Sequence, residues 1–291
     1  MKYSKKSDLF QLLVFLAPAI LFFALMKIIP FFMGMYYSFT DWNGISAVKT
    51  WVGFNNFIRL FQDEDFSNSF IFTAKYTVVV VIINNLLAFL LAFLLTRKIR
   101  FRNPVRTVIF MPNVIGGILL GFIWLFIFTR GFPTVGKLTD LAFFNLPWLG
   151  TENTAFWGII IVSVWQFVGY LMVIYVAGIL SVPHELIEAA DMDGATSLQK
   201  VWHIILPLIM PVITVCMFLT LSTSFKVFDV IYSLTKGGPF RSTEPVALNI
   251  YTEAFGRNNM GLGSAKAFIF FVIVALLTLL QVWFTKRKEV E

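Results

Sequence analysis

The stretch SVPHELIEAADMDGATSLQKVWHIILPLIMP, residues 181–211, decides how the rest of the chain is read. It is a polar island between apolar runs. Ser181 and Pro183 mark a helix start, because proline is tolerated in a first turn where its missing N–H would be unpaired anyway. Residues 184–192 favour helix, and Gly194 is expected to end it with a left-handed cap. A β-branched residue there is expected to be strained and to crowd a neighbouring helix. Thr196, followed three residues later by Gln199, has the form of a capping box that starts a second short helix running into Pro207 and Pro211. The expected product is a helix–glycine–helix element, too short and too charged to cross a bilayer.

Outward from this island the chain is apolar. Of 291 residues, 58% are hydrophobic and 13% charged, with a mean hydropathy of +0.80, a balance that a water-soluble core of this length does not need. Six apolar runs lie at about 9–34, 70–95, 108–128, 155–180, 208–225 and 265–284, each near the ~20 residues that a spanning helix requires. The fold class expected is an all-α membrane protein of six transmembrane helices, with both termini on one side. Continuous rather than alternating apolar runs argue against a β-barrel. Lys2, Lys5, Lys6, Ala17 and Ala19 give the first run some likeness to a signal peptide, but the run extends too far, so an uncleaved first span is expected.

Lysine and arginine set the expected orientation. Segments 1–8, 96–107, 181–207 and 285–291 carry twelve basic residues in 54 positions; segments 35–69, 129–154 and 226–264 carry eight in 100. The positive-inside rule then puts both termini and the 181–207 loop in the cytoplasm. The net charge of +7 is a topology signal, not a nucleic-acid footprint, since these basic residues flank the ends of apolar runs. Cys216, the single cysteine, can form no disulfide within the chain.

Three short patterns within the island now take on meaning. Glu188-Ala189-Ala190, Asp193-Gly194-Ala195 and Ile204-x-Leu206-Pro207 together resemble the cytoplasmic "EAA" loop of permease subunits in binding-protein-dependent ABC importers. An EAA tripeptide alone is common; the glycine and the I-x-L-P at this spacing make the pattern specific. The resemblance implies the type I ABC importer permease fold, with Glu188, Ala189, Ala190, Asp193, Gly194, Leu206 and Pro207 forming a coupling helix and loop against an ATPase. The string YYSFTDWNG at 36–44 with VGFNNF at 52–57 resembles the carbohydrate branch of these permeases, and SLTKGGP at 233–239 resembles the family's exit from the fifth span. An aromatic interfacial belt would explain Tyr36, Tyr37 and Trp42 but not the whole string.

Candidate pathway residues follow from polarity in apolar surroundings. Gln166 and Tyr170, four apart in the fourth run, share a helix face, and a ring beside an amide suits a sugar. Tyr170 also falls where maltose-type permeases place a substrate-contacting tyrosine. Thr220, Ser222, Thr223 and Ser224 cluster near Lys226 and Asp229, which suggests a wet cavity, and Lys226 and Asp229 are expected to pair. Gly117, with Gly116 and Gly121, permits close helix approach; in the family this span contributes to the cavity. Asn84 and Asn85, mid-run, are expected to face other helices and hold them together, with lining of a pathway as the alternative. The pathway set is therefore Tyr170, Gln166, Thr223, Ser224 and Gly117.

No G-x-x-x-x-G-K-[ST] loop is present, and His184 and His203 lack a metal-ligand constellation. No cofactor, metal or covalent chemistry is expected, and ATP hydrolysis must belong to another chain. The expected division is 1–69 (first span and first extracytoplasmic loop), 70–284 (core transmembrane domain containing the 181–207 loop) and 285–291 (cytoplasmic tail). What the resemblance implies is a sugar or oligosaccharide permease in the cytoplasmic membrane. Its implied partners are a second homologous permease subunit, two cytoplasmic ATPase subunits, an extracytoplasmic sugar-binding protein and the lipid bilayer, but no nucleic acid. The alternatives are a glycerol-phosphate or polyol permease of the same family, or a secondary transporter or channel. The last would ordinarily carry mid-membrane charges that most of these runs lack.

Overall fold

A backbone crossing hydrocarbon must satisfy its own hydrogen bonds, so apolar runs of this length become helices. The computed structural model describes residues 5–97 and 100–287, with side chains from Val14 onward. Lys2, Lys98, Lys288 and the end of the 285–291 tail lie outside the described residues, as do the side chains of Lys5 and Lys6. In chain order the helices are α1 (Val14–Tyr37), α2 (Asn55–Phe61), α3 (Glu64–Thr96), α4 (Arg102–Phe110), α5 (Gly117–Thr139) and α6 (Glu152–Leu180). They continue as α7 (His184–Met192), α8 (Ser197–Leu208), α9 (Met210–Phe225), α10 (Asp229–Leu234), α11 (Val246–Tyr251) and α12 (Met260–Lys286). No β-strand occurs among the described residues; a single antiparallel bridge joins Thr40 and Trp51.

Five helices, α1, α3, α5, α6 and α12, are long and apolar enough to cross a membrane, and the pair α8–α9, bent by 75°, supplies the sixth crossing. Two boundaries differ from the sequence expectation. The 108–128 run is not one helix: α4 ends at Phe110, a 3₁₀ turn occupies Met111–Val114, and α5 starts only at Gly117. Pro112 lies in that 3₁₀ turn. The fifth run breaks at Ile209 (φ −94°, ψ 11°), ahead of Pro211 in the first turn of α9.

The chain forms two units. The larger comprises residues 64–249 and 272–291. Its core is α3 packed along α6 and against α9, with Ala88, Ala92, Ile159, Leu171, Met172 and Tyr175 essentially fully buried. Close approach is bought by glycine at defined points: a Cβ on Gly169 would fall 2.0 Å from the Ile109 carbonyl oxygen, and one on Gly121 would fall 1.8 Å from Ser233 Oγ. Polar side chains pin the same helices together. Tyr76 Oη donates to Ser163 Oγ (2.8 Å), and Tyr175 Oη donates to Asn85 Oδ1 (2.8 Å). Asn85 Nδ2 in turn donates to the Val81 carbonyl (2.8 Å) and to Thr220 Oγ1 (3.3 Å).

The smaller unit comprises residues 1–63 and 250–271. Side chains of α1 are exposed along almost its whole described length, as a helix solvated by lipid tolerates. The SFTDW and VGFNNF strings fold onto each other here. Asn56 Nδ2 donates to the carbonyls of Ser38 (2.9 Å) and Thr40 (2.8 Å), and Phe39 stacks on Trp51 at 5.2 Å between centroids. Lys49 lies over the rings of Tyr37 and Trp42. These aromatics therefore do more than form a belt: they pack within a loop whose backbone carbonyls Asn56 pairs.

Candidate functional site

The larger unit contains a cavity of about 270 Å³ where two interruptions of helix meet. One is the extended pair Ile115 and Gly116, which separates the 3₁₀ turn from α5; the other is the turn 226–228 between α9 and α10. Irregular backbone in a membrane protein is tolerated where it lines a cavity or finds partners. Here Gln166 Nε2 donates to the Ile115 carbonyl (3.1 Å), a group that the break removes from the helical ladder. At Gly117 a Cβ would fall 2.7 Å from Asp229 Cβ, so the start of α10 can lie directly against α5 only because this residue is glycine.

Four of the five pathway residues expected from sequence, Gln166, Thr223, Ser224 and Gly117, line this cavity. Tyr170 does not. It lies one turn further along α6, half-buried, with its ring 5.4 Å from that of Phe167, which does line the cavity. Thr223 Oγ1 donates to the Leu219 carbonyl (2.7 Å), so part of its polarity is absorbed within its own helix. Lys226 and Asp229 both border the cavity, but the expected ion pair between them does not form; each is exposed instead. The broken backbone at 226–228 explains this, since the helical i,i+3 geometry that would bring them together is absent.

Asn84 takes the position of the alternative reading, cavity lining, rather than that of a helix–helix contact. Of the two asparagines, Asn85 joins helices as first expected. Asn84 is fully buried (0% exposed), borders the cavity, and neither its Oδ1 nor its Nδ2 meets a protein partner. An unpaired buried amide costs about 1–3 kcal/mol. Adjacent positions on a helix point about 100° apart, so nothing in the dipeptide itself tells the two apart.

Beyond the cavity, residues 235–244 form a tight turn with positive φ at Lys236, Gly237, Phe240 and Arg241. Arg241 fastens it, pairing with Glu244 and, from the start of α3, with Asp65. Glu244 first, and Asp65 after it, hold the guanidinium above its ordinary range against the opposing effect of burial.

The 181–211 element folds largely as its local chemistry dictates. Pro183 is the N-cap of α7, and Gly194 (φ +77°) terminates it. The Ala195 N–H bonds to the Ala190 carbonyl (2.9 Å), and the Gly194 N–H to that of Asp191 (3.1 Å), closing the helix end. Thr196 and Gln199 form the reciprocal capping box of α8. An ion pair between Asp191 and Lys200 ties the two helices. Contrary to expectation, Gly194 crowds nothing: a Cβ there meets open space, so only its backbone angle demands glycine. Glu188 is exposed and paired with His184 (3.0 Å) one turn back; Ala189 and Asp193 are exposed, Ala190 is buried, and Leu206 and Pro207 are half-buried at the far end of α8. Large apolar side chains project from this polar loop, foremost Met192 (88% exposed), Leu198 (68%) and Trp202 (63%).

Comparison with known proteins agrees with this architecture. Residues 84–290 match the family described as binding-protein-dependent transport system inner membrane component. The chain is 48% identical over 278 residues to the probable starch degradation products transport system permease protein AmyD of Thermoanaerobacterium thermosulfurigenes, covering 96% of this chain and 94% of that one. It is 34% identical to the multiple sugar-binding transport system permease protein MsmF of Streptococcus mutans, covering 90% of each. Among solved structures, a chain of a bacterial ABC transporter involved in the import of the acidic polysaccharide alginate superposes with a TM-score of 0.84 at 21% identity, covering 97% of this chain and 96% of that one. The chain thus has the type I ABC importer permease fold, and it is a member of the family of inner-membrane components of binding-protein-dependent transport systems.

Proposed function

We propose that this permease carries sugars, of the malto-oligosaccharide class, across the membrane in an ATP-driven importer. The observation that carries the proposal is the 48% identity, across nearly the whole chain, to a permease named for starch degradation products. The cavity supports it, because amides, hydroxyls and the rings of Phe167 and Phe228 suit a neutral polyhydroxylated ligand. A glycerol phosphate would bring a dianion to a cavity whose lysine, Lys226, is offset by Asp229.

In this reading the route runs past Gln166, Thr223, Ser224 and Gly117, with Tyr170 extending it by one helical turn. A second permease chain completes the route, and an extracytoplasmic binding protein delivers the sugar. Both termini and the 181–207 loop face the cytoplasm, following the basic-residue asymmetry. ATP is hydrolysed on two separate subunits, and Glu188, Ala189, Ala190, Asp193, Gly194, Leu206 and Pro207 form the element that couples to them. The exposed Met192 and Leu198 support a protein partner there, since apolar groups on a polar loop favour burial.

The mechanism is mechanical. ATP closes the two ATPases, the α7 helices move with them as rigid levers, and the crossings rock between inward- and outward-open arrangements. Proteoliposomes containing the assembled transporter and its binding protein test this. Uptake of radiolabelled maltotriose should require ATP; uptake that persists without ATP and without the ATPase subunits contradicts it.

A further inference from the structure

We propose that Asn84 is a specificity-determining residue of the permeation route, its amide forming the buried floor of a subsite that takes a hydroxylated sugar ring. The proposal deepens the sugar reading above and rests on it.

Its basis is the contrast between neighbours. Asn85 has its oxygen occupied by Tyr175 and its nitrogen by Val81 and Thr220. Asn84 is fully buried where Asn85 is half-buried, yet it has no protein partner at either atom, and the space it borders is the cavity between the two helix breaks. A side chain serving only to fill a helix interface there would be better apolar, because a buried amide without partners is a net cost. A partner reaching Asn84 must arrive through the cavity.

The chemistry of that partner follows from the amide, which offers one acceptor and two donors without charge. A hydroxyl both donates and accepts, so it satisfies such a group from either side. An anion would leave the acceptor unmatched and a cation would leave the donors unmatched. The charged lining groups, Lys226 and Asp229, are both exposed, so the buried part of the wall is neutral. Phe167 and Phe228 supply ring faces for the apolar side of a pyranose. At about 270 Å³ the space is wide enough for a hydroxylated ring to reach the amide.

The test uses the complete transporter in proteoliposomes, with maltotriose and its singly deoxygenated derivatives as probes. Asn84→Leu should lower maltotriose uptake by about tenfold or more while leaving the sugar affinity of the separate binding protein unchanged. At least one deoxy derivative, lacking the hydroxyl that meets Asn84, should be carried equally well by wild type and variant. Asn84→Ser, which is smaller and retains a hydrogen-bonding group, should show the same selective pattern in milder form, and it carries the test if Asn84→Leu fails to assemble. Unchanged uptake by Asn84→Leu, or an equal loss for every derivative, overturns the proposal: the first would mean that water alone satisfies the amide, the second that its role is structural. Gln166→Ala and Thr223→Val separate this from the broader reading. If they also leave uptake unchanged, the sugar route through the cavity fails; if they impair it while Asn84→Leu does not, only the role of Asn84 fails.

Discussion

The ammonium of Lys266 is fully buried and lies 2.6 Å from the carboxylate of Asp63, with Glu253 on its other side at 3.2 Å. Glu253 is shared further with Arg257 (3.0 Å) and Asn259 (3.0 Å), so the network closes the smaller unit around its own charges. Lys266→Met would leave two carboxylates without their central cation. Removing one partner of a buried pair costs about 3–5 kcal/mol. A lowered thermal transition of the detergent-solubilised protein is expected, with Lys266→Arg nearer to wild type; equal transitions for Lys266→Met and wild type would show that the network contributes nothing.

Gly194 separates strain from crowding. Because a side chain there meets open space while φ is +77°, Gly194→Ala should cost about 1–2 kcal/mol, and Gly194→Asn should be tolerated, since asparagine also adopts left-handed caps. Gly194→Val should be worse through backbone strain alone. The amount of intact complex recovered with the ATPase subunits, compared across the three variants, measures this ranking; a Val variant as abundant as the Asn variant would contradict it.

The cavity makes a graded prediction along α6. Gln166→Ala removes a lining amide and unpairs the Ile115 carbonyl, whereas Tyr170→Ala removes a ring one turn away. Both should lower sugar uptake without weakening attachment of the ATPases, and Gln166→Ala should do so more. Normal uptake by Tyr170→Ala with impaired uptake by Gln166→Ala would confine the route to the cavity itself.

How much of this was legible in the sequence depended on how local each determinant is. The Thr196–Gln199 capping box and the Gly194 stop sit within a few residues of what they control, and both form as expected. The break at 115–116 was hidden inside an apolar run, because the group that satisfies it, Gln166, lies 51 residues away. Lys266 was read only as part of the last apolar run; its partners Asp63 and Glu253 are brought to it by the fold. Lys226 and Asp229 have helical spacing but stand across a turn, so spacing alone misled. The Asn84-Asn85 pair shows the limit plainly: identical residues, side by side, divide between holding helices and lining a cavity.

The most direct measurement is ATP-driven maltotriose uptake by proteoliposomes carrying the complete transporter with either wild-type chain or Glu188→Ala, scored beside ATP hydrolysis stimulated by the binding protein. Glu188 is exposed and, among the described residues, paired with His184, which leaves it accessible to the cationic ATPase partner that the proposed coupling calls for. Under the proposed coupling, burial against such a partner makes its loss worth about 3–5 kcal/mol. The variant should insert normally, yet lose both uptake and stimulated hydrolysis. Wild-type uptake and stimulation from Glu188→Ala would contradict the account that this loop couples ATP to transport.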